Sequence, residues 1–247
     1  MVSEPLHVGV LLVDIVQLLD LSAVDLLFMT SPEYLTELGV PKPIIDLGRP
    51  CKISYISLNG PAKRNDLTSH TSIPITHSLS DAEVAPGKLD LIYLPGPPPK
   101  RMPPAKEYID FLQKHNTANV TILSICTGAL VIAHAGLAKN KIVTAPRFLI
   151  PELRKNFPDA KIWDDTVRVT KDGNLWMCGG ITNGQDLMID YLRQNYPAPV
   201  VNVVLTAAEI SPRDLAYPNG PMADFLYMFF QVVRALPYSA LRLIKGS

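Results

Sequence analysis

Short apolar runs alternate with stretches of helical periodicity along most of this chain. Runs rich in Val, Ile and Leu predict strands that are buried on both faces of a sheet. Strands are predicted at residues 7–13, 51–58, 72–76, 89–94, 120–125 and 142–144. Helices are predicted between or after them, at residues 22–38, 106–115, 128–136, 146–156, 184–195 and 200–210. The alternation predicts an α/β fold whose mostly parallel sheet carries helices on both faces, with functional sites at the carboxyl ends of strands.

Three local signals refine these boundaries. Ser22 and Asp25 have the spacing of a capping box, whose two side chains bind free backbone N–H groups where a helix begins. Pro146 suits the first turn of a helix. Residues 171–174 (KDGN) have the composition of a hairpin turn between residues 167–170 and 175–178.

The last 35 residues differ from the rest of the chain, because prolines interrupt them around an apolar stretch at residues 225–236. We expect residues 1–210 to form one α/β domain and residues 211–247 a C-terminal extension. The apolar stretch is expected to pack on the domain or to form a dimer contact.

The charge balance narrows the function classes. Lys plus Arg and Asp plus Glu both number 23, so the formal net charge is zero, which disfavours binding to nucleic acid or to anionic membranes. A hydrophobic fraction of 47% excludes disorder as the main state. The N-terminus lacks the pattern of a signal peptide, and the near-apolar stretch at residues 122–138 is short for a membrane span. A cytoplasmic protein with neither nucleic acid nor membrane as a partner is therefore expected.

The three cysteines are too few and too scattered for a disulfide framework, which indicates a reducing compartment. Cys51 and Cys178 lie inside strand-like runs and are expected in the core. Cys126 differs, because it stands between a predicted strand and a predicted helix, in the run SICTG. A thiol at a helix N-terminus can have a lowered pKa, and the N–H of Thr127 would face a developing oxyanion. Cys126 is thus either a nucleophile or a small buried side chain.

The run SICTGALVIAHAGLAKNKIVT, from residue 124 to residue 144, resembles the ThiJ/PfpI superfamily, which has the flavodoxin-like fold of class I glutamine amidotransferases. The similarity covers most of residues 6–210 and is greatest to the isonitrile hydratase branch. The segments VGVLLVDIVQLLDLSAVDLLF, LDLIYLPGP and GGITNGQDLMIDYL resemble the family's first loop, its oxyanion turn and a late turn that lines the pocket. The resemblance implies a nucleophile elbow at Cys126, a small-molecule substrate and a homodimer.

The resemblance also implies a role for Asp20, which occupies the place of an acid in the family's first loop. In the hydratase branch the cysteine adds to an isocyanide, and the acid moves the proton. A carboxyl group in an apolar pocket beside a thiol would have a raised pKa and could act as a general acid. Read without the resemblance, Asp20 is a residue that stabilises a helix N-terminus. Asp14 and Asp25 are weaker candidates for the acid.

Two positions depart from the family pattern. Many relatives have Gly-Gly at the oxyanion turn, whereas this chain has Gly96-Pro97, and proline has no N–H to donate. Gly96, Thr127 or a side chain would have to supply the donors. Many relatives also have a histidine after the next strand, where residues 144–147 read TAPR. His134 lies about 12 Å along the helix from Cys126 and is expected to pack there; His70 and His77 are expected at the surface.

The turn at residues 179–186 (GGITNGQD) can supply further pocket groups. Thr182 and Asn183 are candidates for binding the substrate, although Asn183 and Asp186 also have the pattern of helix caps. Metal-ligand spacing and phosphate-binding loops are not found, so neither a metal nor a cofactor is expected.

These features favour a cofactor-free enzyme that resembles isonitrile hydratase and hydrates an isocyanide to an N-formamide through a thioimidate on Cys126. One alternative is a glyoxalase-like or deglycase-like enzyme that acts on reactive aldehydes. Another is a non-enzymatic sensor in which Cys126 is oxidised or a small molecule binds. A regulator fused to a DNA-binding domain is disfavoured, because the tail lacks a helix-turn-helix pattern.

Overall fold

The structure is a computed structural model that describes residues 4–245, with side chains described up to Tyr238. The strands are β1 (Leu6–Leu11), β2 (Cys51–Ser57), β3 (Arg64–Asp66), β4 (Ser72–Pro74), β5 (His77–Ser78), β6 (Leu91–Leu94), β7 (Thr121–Ser124), β8 (Ile142–Val143), β9 (Ile162–Trp163), β10 (Val169–Asp172) and β11 (Leu175–Cys178). The helices are α1 (Leu18–Phe28), α2 (Pro32–Glu37), α3 (Lys42–Ile45), α4 (Lys106–Thr117), α5 (Gly128–His134), α6 (Ile150–Asn156), α7 (Asn183–Asn195), α8 (Ala198–Ala207) and α9 (Pro221–Lys245).

Seven strands form the central sheet in the order β10-β11-β7-β6-β1-β2-β5. Neighbouring strands pair in parallel, except for the antiparallel edge pair of β10 and β11. The predicted α/β class with a mostly parallel sheet is therefore confirmed, as is the hairpin predicted around residues 171–174. Two smaller pairs, β3 with β4 and β8 with β9, lie outside this sheet.

Alternation along the central strands divides the core into two layers. In β11, Trp176 and Cys178 face the layer that contains α1, α7 and α8, whereas Leu175 and Met177 face the layer that contains α4, α5 and α6. The same alternation holds in β6 and β7. Because both faces are covered, the strands read as continuous apolar runs in the sequence.

The helix predicted at residues 22–38 has a different start and is divided in two. Helix α1 already begins at Leu18, after Gln17, and the hydroxyl of Ser22 donates to the Leu19 carbonyl inside the helix at 2.7 Å. The capping box of Ser22 and Asp25 is thus wrong. A real cap comes later, where Ser31 accepts from the N–H of Tyr34 at 3.2 Å and Pro32 opens α2.

Smaller differences concern other boundaries. Strand β1 ends at Leu11, not at residue 13, and α6 begins at Ile150, so Pro146 lies in the preceding turn rather than in the helix. Cys178 is buried as predicted, whereas Cys51 is only partly buried.

The C-terminal extension forms the long helix α9. Its first turn is joined to the domain, because Arg147 pairs with Asp224 at 2.7 Å and donates to the Asn219 carbonyl at 2.8 Å. Most described apolar side chains of α9 beyond that turn are exposed in the single chain. The dimer contact expected for this segment stays a prediction.

Two methionines provide a matched test of the core. Met177 is fully buried in β11, whereas Met222 is 68% exposed at the start of α9. Met177→Ala should lower the free energy of unfolding by about 2–5 kcal/mol, because it leaves a cavity in a packed layer. Met222→Ala should change it by less than about 0.5 kcal/mol. Urea unfolding of both variants measures these values, and equal effects would contradict the burial of Met177 in a packed layer.

Candidate active site

Four parallel strands end at one cavity of about 630 Å³. The chain leaves β1 toward Asp20, β6 toward Gly96, β7 toward Cys126 and β11 toward Ile181, and each of these residues lines the cavity. We call it the thiol cavity. It lies where the topology of a parallel sheet places functional sites, and it agrees with the sequence expectation.

Cys126 stands at a sharp turn between β7 and α5. Its φ angle is +53°, a left-handed conformation that costs a non-glycine residue on the order of 1–2 kcal/mol. The turn is fixed on both sides, by the N–H of Ile125 donating to the Leu94 carbonyl at 2.9 Å and the N–H of Gly128 donating to the Ile125 carbonyl at 2.9 Å. The thiol residue is therefore held at the bottom of the cavity, with 8% of its surface exposed.

Two glycines allow the close approach of the loops around this turn. A Cβ on Gly128 would lie 2.7 Å from the Leu94 carbonyl oxygen, and one on Gly96 would lie 2.7 Å from the backbone nitrogen of Thr127. Real Cβ atoms do not approach backbone atoms so closely. The glycines in the motifs LPG and CTG are thus required for packing the two loops together.

Asp20 lies in the first turn of α1 and is 2% exposed. Its Oδ2 accepts a hydrogen bond from the N–H of Gly96 at 3.2 Å, whereas its buried Oδ1 has no partner. The hydroxyl of Tyr93 donates to the backbone carbonyl of Asp20 at 2.5 Å and fixes the start of the helix. Burial raises the pKa of Asp20 to about 6, against the opposing effect of the Gly96 N–H. The carboxyl group can therefore gain or lose a proton near neutral pH.

The thiol of Cys126 has a raised pKa, which differs from the lowered value expected for a thiol at a helix N-terminus. Burial is the larger cause and the nearby charge of Asp20 the second, while the N–H groups of Ile181 and Thr127 act in the opposite direction. The Thr127 hydroxyl has a single hydrogen, which it donates to the Pro97 carbonyl at 2.7 Å, so it is not free for the sulfur. The expectation of a lowered pKa was wrong because desolvation outweighs the donors of a short helix.

The donors at this site differ from a two-glycine oxyanion turn. Pro97 has no N–H, and the N–H of Gly96 binds Asp20. Of the two predicted backbone donors, Gly96 therefore binds the carboxylate of Asp20. The N–H of Thr127 acts on the sulfur of Cys126, as predicted. The second N–H at the thiol belongs to Ile181, which lies in the turn after β11 and has a φ of +29°. Nothing in an isoleucine side chain signals such a role, and only the neighbouring glycines indicated pocket N–H groups.

Thr182 and Asn183, the two predicted substrate-binding residues of the turn after β11, lie in different surroundings. Thr182 lines the thiol cavity. Asn183 does not line it, because its amide donates to the Tyr217 hydroxyl at 2.7 Å and accepts from Arg168 at 3.3 Å. The cap role of Asn183 is also wrong, since α7 begins at Asn183 and follows Thr182 as its N-cap. Asp186 is not a cap either, and its buried carboxylate forms an ion pair with the partly exposed Arg213.

The other titratable candidates lie elsewhere. None of the five histidines, which all fall in the described residues, lines the thiol cavity. His134 packs edge-on against Phe157, with ring centroids 5.0 Å apart. Asp14 pairs with Arg101 at 2.6 Å. Within residues 4–245, no group of three or more His, Cys, Asp or Glu side chains is placed to hold a metal ion, and no described helix is long and apolar enough to cross a membrane.

The raised pKa of Asp20 makes stability depend on pH. The pKa of Asp20 is about 6 in the folded protein and about 3.8 in the unfolded chain. The folded state therefore binds more protons between these values, and the free energy of unfolding falls as the pH rises through this window, by on the order of 3 kcal/mol. Asp20→Asn should lack this fall and be more stable than the wild type at pH 7.5. Urea unfolding at pH 4 and pH 7.5 measures it, with the exposed Asp25→Asn as control; parallel profiles for all three proteins would contradict it.

The charge of Asp20 also acts on the thiol. Asp20→Asn removes a like charge, so the pKa of Cys126 should fall and its alkylation by iodoacetamide at pH 8 should become several times faster. Mass spectrometry of the labelled peptide separates Cys126 from the partly buried Cys51. Asp25→Asn is the control and should leave the rate unchanged. Slower alkylation in Asp20→Asn would show that the carboxylate does not oppose the thiolate.

Comparisons with known proteins agree with this fold. The sequence profile of the DJ-1/PfpI family matches residues 26–194. The chain is 28% identical over 107 residues to the isonitrile hydratase of Pseudomonas putida, a match that covers 43% of this chain and 45% of that protein. The matched region thus spans less than half the length of this relative.

Solved structures match over more of the chain. A ThiJ/PfpI family protein from Pseudomonas syringae superposes with a TM-score of 0.68 at 15% identity and covers 94% of this chain and 88% of its own. An AraC family transcriptional regulator from Pseudomonas putida gives 0.65 at 16% identity, with 83% and 100% covered. DJ-1beta of Drosophila melanogaster gives 0.56 at 21% identity, with 84% and 99% covered. At these identities the structures establish the fold alone, whereas the profile match, which covers more than half of the chain, shows that the chain belongs to the DJ-1/PfpI family.

Proposed function

We propose that this protein hydrates an isocyanide to an N-formamide, with Cys126 as nucleophile and Asp20 as the proton carrier. The observation that carries the proposal is the pairing of a buried thiol with a buried carboxyl group of pKa about 6, in a cavity that no histidine lines. The match to isonitrile hydratase supports the same chemistry.

The first step forms a carbon–sulfur bond. The ionised Asp20 takes the thiol proton as the sulfur of Cys126 adds to the terminal carbon of the isocyanide, and the same carboxyl group returns that proton to the carbon. The product is a thioimidate, R–N=CH–S–Cys126. A high thiol pKa suits this step, because the thiol keeps its proton until the substrate is bound and Asp20 can accept that proton.

The second step releases the product. Water adds to the thioimidate carbon while Asp20 takes one of its protons and passes it to the nitrogen, which gives the tetrahedral intermediate R–NH–CH(OH)–S–Cys126. The carbon–sulfur bond then breaks as Asp20 takes the hydroxyl proton and gives it to the leaving sulfur, so that R–NH–CHO leaves and the thiol is restored. The net reaction joins one isocyanide and one water, so it needs no external oxidant, reductant or cofactor.

The use of the donors favours this reaction over amide hydrolysis. Attack on an amide builds a full oxyanion, and the loss of one donor typically lowers such rates by about 10²–10³. Here the N–H of Gly96 is bound to Asp20 and Pro97 has none. The terminal carbon of an isocyanide carries no oxygen, so its first step needs no oxyanion donor.

The same observations weigh against the alternatives. A redox-sensing cysteine needs an exposed thiolate of low pKa, whereas Cys126 is buried with a raised pKa. Aldehyde-directed members of the fold commonly use a histidine partner, and no histidine of this chain lines the thiol cavity.

The proposal predicts two different losses of activity. Cys126→Ala should reduce formation of N-cyclohexylformamide from cyclohexyl isocyanide by at least about 10³-fold, because it removes the nucleophile. Asp20→Asn should reduce kcat by about 10²–10⁴, because it removes proton transfer but keeps the shape. Cys51→Ala is the control and should retain full activity, since Cys51 lies in β2 and does not line the cavity. Infrared detection of the isocyanide stretch follows the reaction, and full turnover by Cys126→Ala would refute the proposal.

A further inference from the structure

A second cavity, of about 570 Å³, lies beside the thiol cavity. Phe148 and Gly180 line both cavities and thus form the boundary between them. The far wall includes Phe225 and Met228 of α9, which are 55% and 61% exposed, so the cavity is open to solvent on that side. Both residues belong to the extension beyond the family match at residues 26–194. We call this space the C-terminal cavity.

The wall of the C-terminal cavity is mainly apolar, and its two charged residues pair with each other, while the buried Nε of Arg147 has no hydrogen-bond partner. Arg147 has only 9% of its side chain exposed, and its guanidinium binds Asp224 at 2.7 Å and the Asn219 carbonyl at 2.8 Å. The same guanidinium lies 4.4 Å from the ring centroid of Tyr217. Arg147 and Asp224 therefore neutralise each other, and this wall favours an apolar group over an anionic or cationic one.

The boundary is open at Gly180. A Cβ on this residue would meet no atom within 4 Å, and its φ is not left-handed, so the backbone would accept a side chain there. Packing therefore does not require glycine at this position, in contrast to Gly96 and Gly128. Its absent side chain leaves space beside the turn that carries the Ile181 N–H to the thiol.

We propose that the C-terminal cavity binds the apolar substituent of the substrate, so that the protein prefers isocyanides with a long or bulky hydrocarbon group. The reactive carbon would lie at Cys126 and the substituent would pass Gly180 and Phe148 to reach Phe225 and Met228. The identity of the reactive group rests on the proposed function. The hydrocarbon site itself rests on the two neighbouring cavities, which share Phe148 and Gly180.

Binding of unreactive N-alkylformamides tests the site without requiring turnover. We expect the affinity to rise by about fourfold for each added methylene from ethyl to octyl, because each methylene leaves water for an apolar wall. Isothermal titration calorimetry of the ethyl, butyl, hexyl and octyl compounds measures this dependence.

Two variants on separate elements should remove the preference for long chains. Met228→Trp fills the far end, so it should weaken octylformamide at least tenfold and leave ethylformamide within twofold. Gly180→Val narrows the boundary but also borders the thiol cavity, so it should weaken octylformamide at least tenfold more than it weakens ethylformamide. Met222→Trp is the matched control, since Met222 lies on the same helix and is about as exposed as Met228 but does not line the cavity, and it should leave both affinities unchanged. The melting temperature of each variant confirms that it is folded.

The outcomes separate this inference from the proposed function. An affinity that stops rising at the butyl compound, or variants that weaken short and long compounds equally, would overturn the hydrocarbon site. Long-chain binding that is sensitive to Gly180→Val and Met228→Trp would support the site even if no isocyanide were hydrated, and in that case only the proposed reaction would fail.

Discussion

The arrangement of this site depends on one buried carboxyl group, Asp20. Its side chain is removed from water and receives a single backbone hydrogen bond, from Gly96, so its pKa rises to about 6. Its charge and the burial of Cys126 together keep the thiol protonated. Near neutral pH the two groups thus carry one proton, on the sulfur, and this is the proton that the proposed reaction moves. Such a pair suits a reaction that both adds a nucleophile and moves a proton to carbon.

The proline at position 97 makes sense in this arrangement. Proline removes a donor from the turn that provides oxyanion donors in many relatives, and the remaining N–H, on Gly96, is used to hold the acid. The Pro97 carbonyl accepts the Thr127 hydroxyl and so joins the turn to the elbow. This turn therefore binds the carboxylate of Asp20 through Gly96. The N–H donors at the thiol come from Thr127 and Ile181.

Much of this could be predicted from the sequence, for identifiable reasons. The apolar runs at β1, β6 and β7 predicted a parallel sheet because strands buried on both faces have no polar side. The small residues after Cys126 predicted the sharp turn at that residue, whereas the places of Asp20 and Gly96 at the site came from the family resemblance. The predicted start of α1 was wrong because the hydroxyl of Ser22 donates to a carbonyl within the helix and does not cap it. The prediction of a lowered pKa for Cys126 was wrong because the sequence motif indicates the helix N-terminus but not how deeply the thiol is buried. The role of Ile181 depends on backbone direction, which side-chain identity does not determine.

The most direct test of the central claim is a crystal of the protein soaked with an isocyanide and cooled rapidly. The account predicts continuous electron density from the sulfur of Cys126 to the isocyanide carbon, with an oxygen of Asp20 within hydrogen-bonding distance of the adduct. An isocyanide that fills the thiol cavity without a bond to sulfur, or that bonds to another residue, would contradict the account.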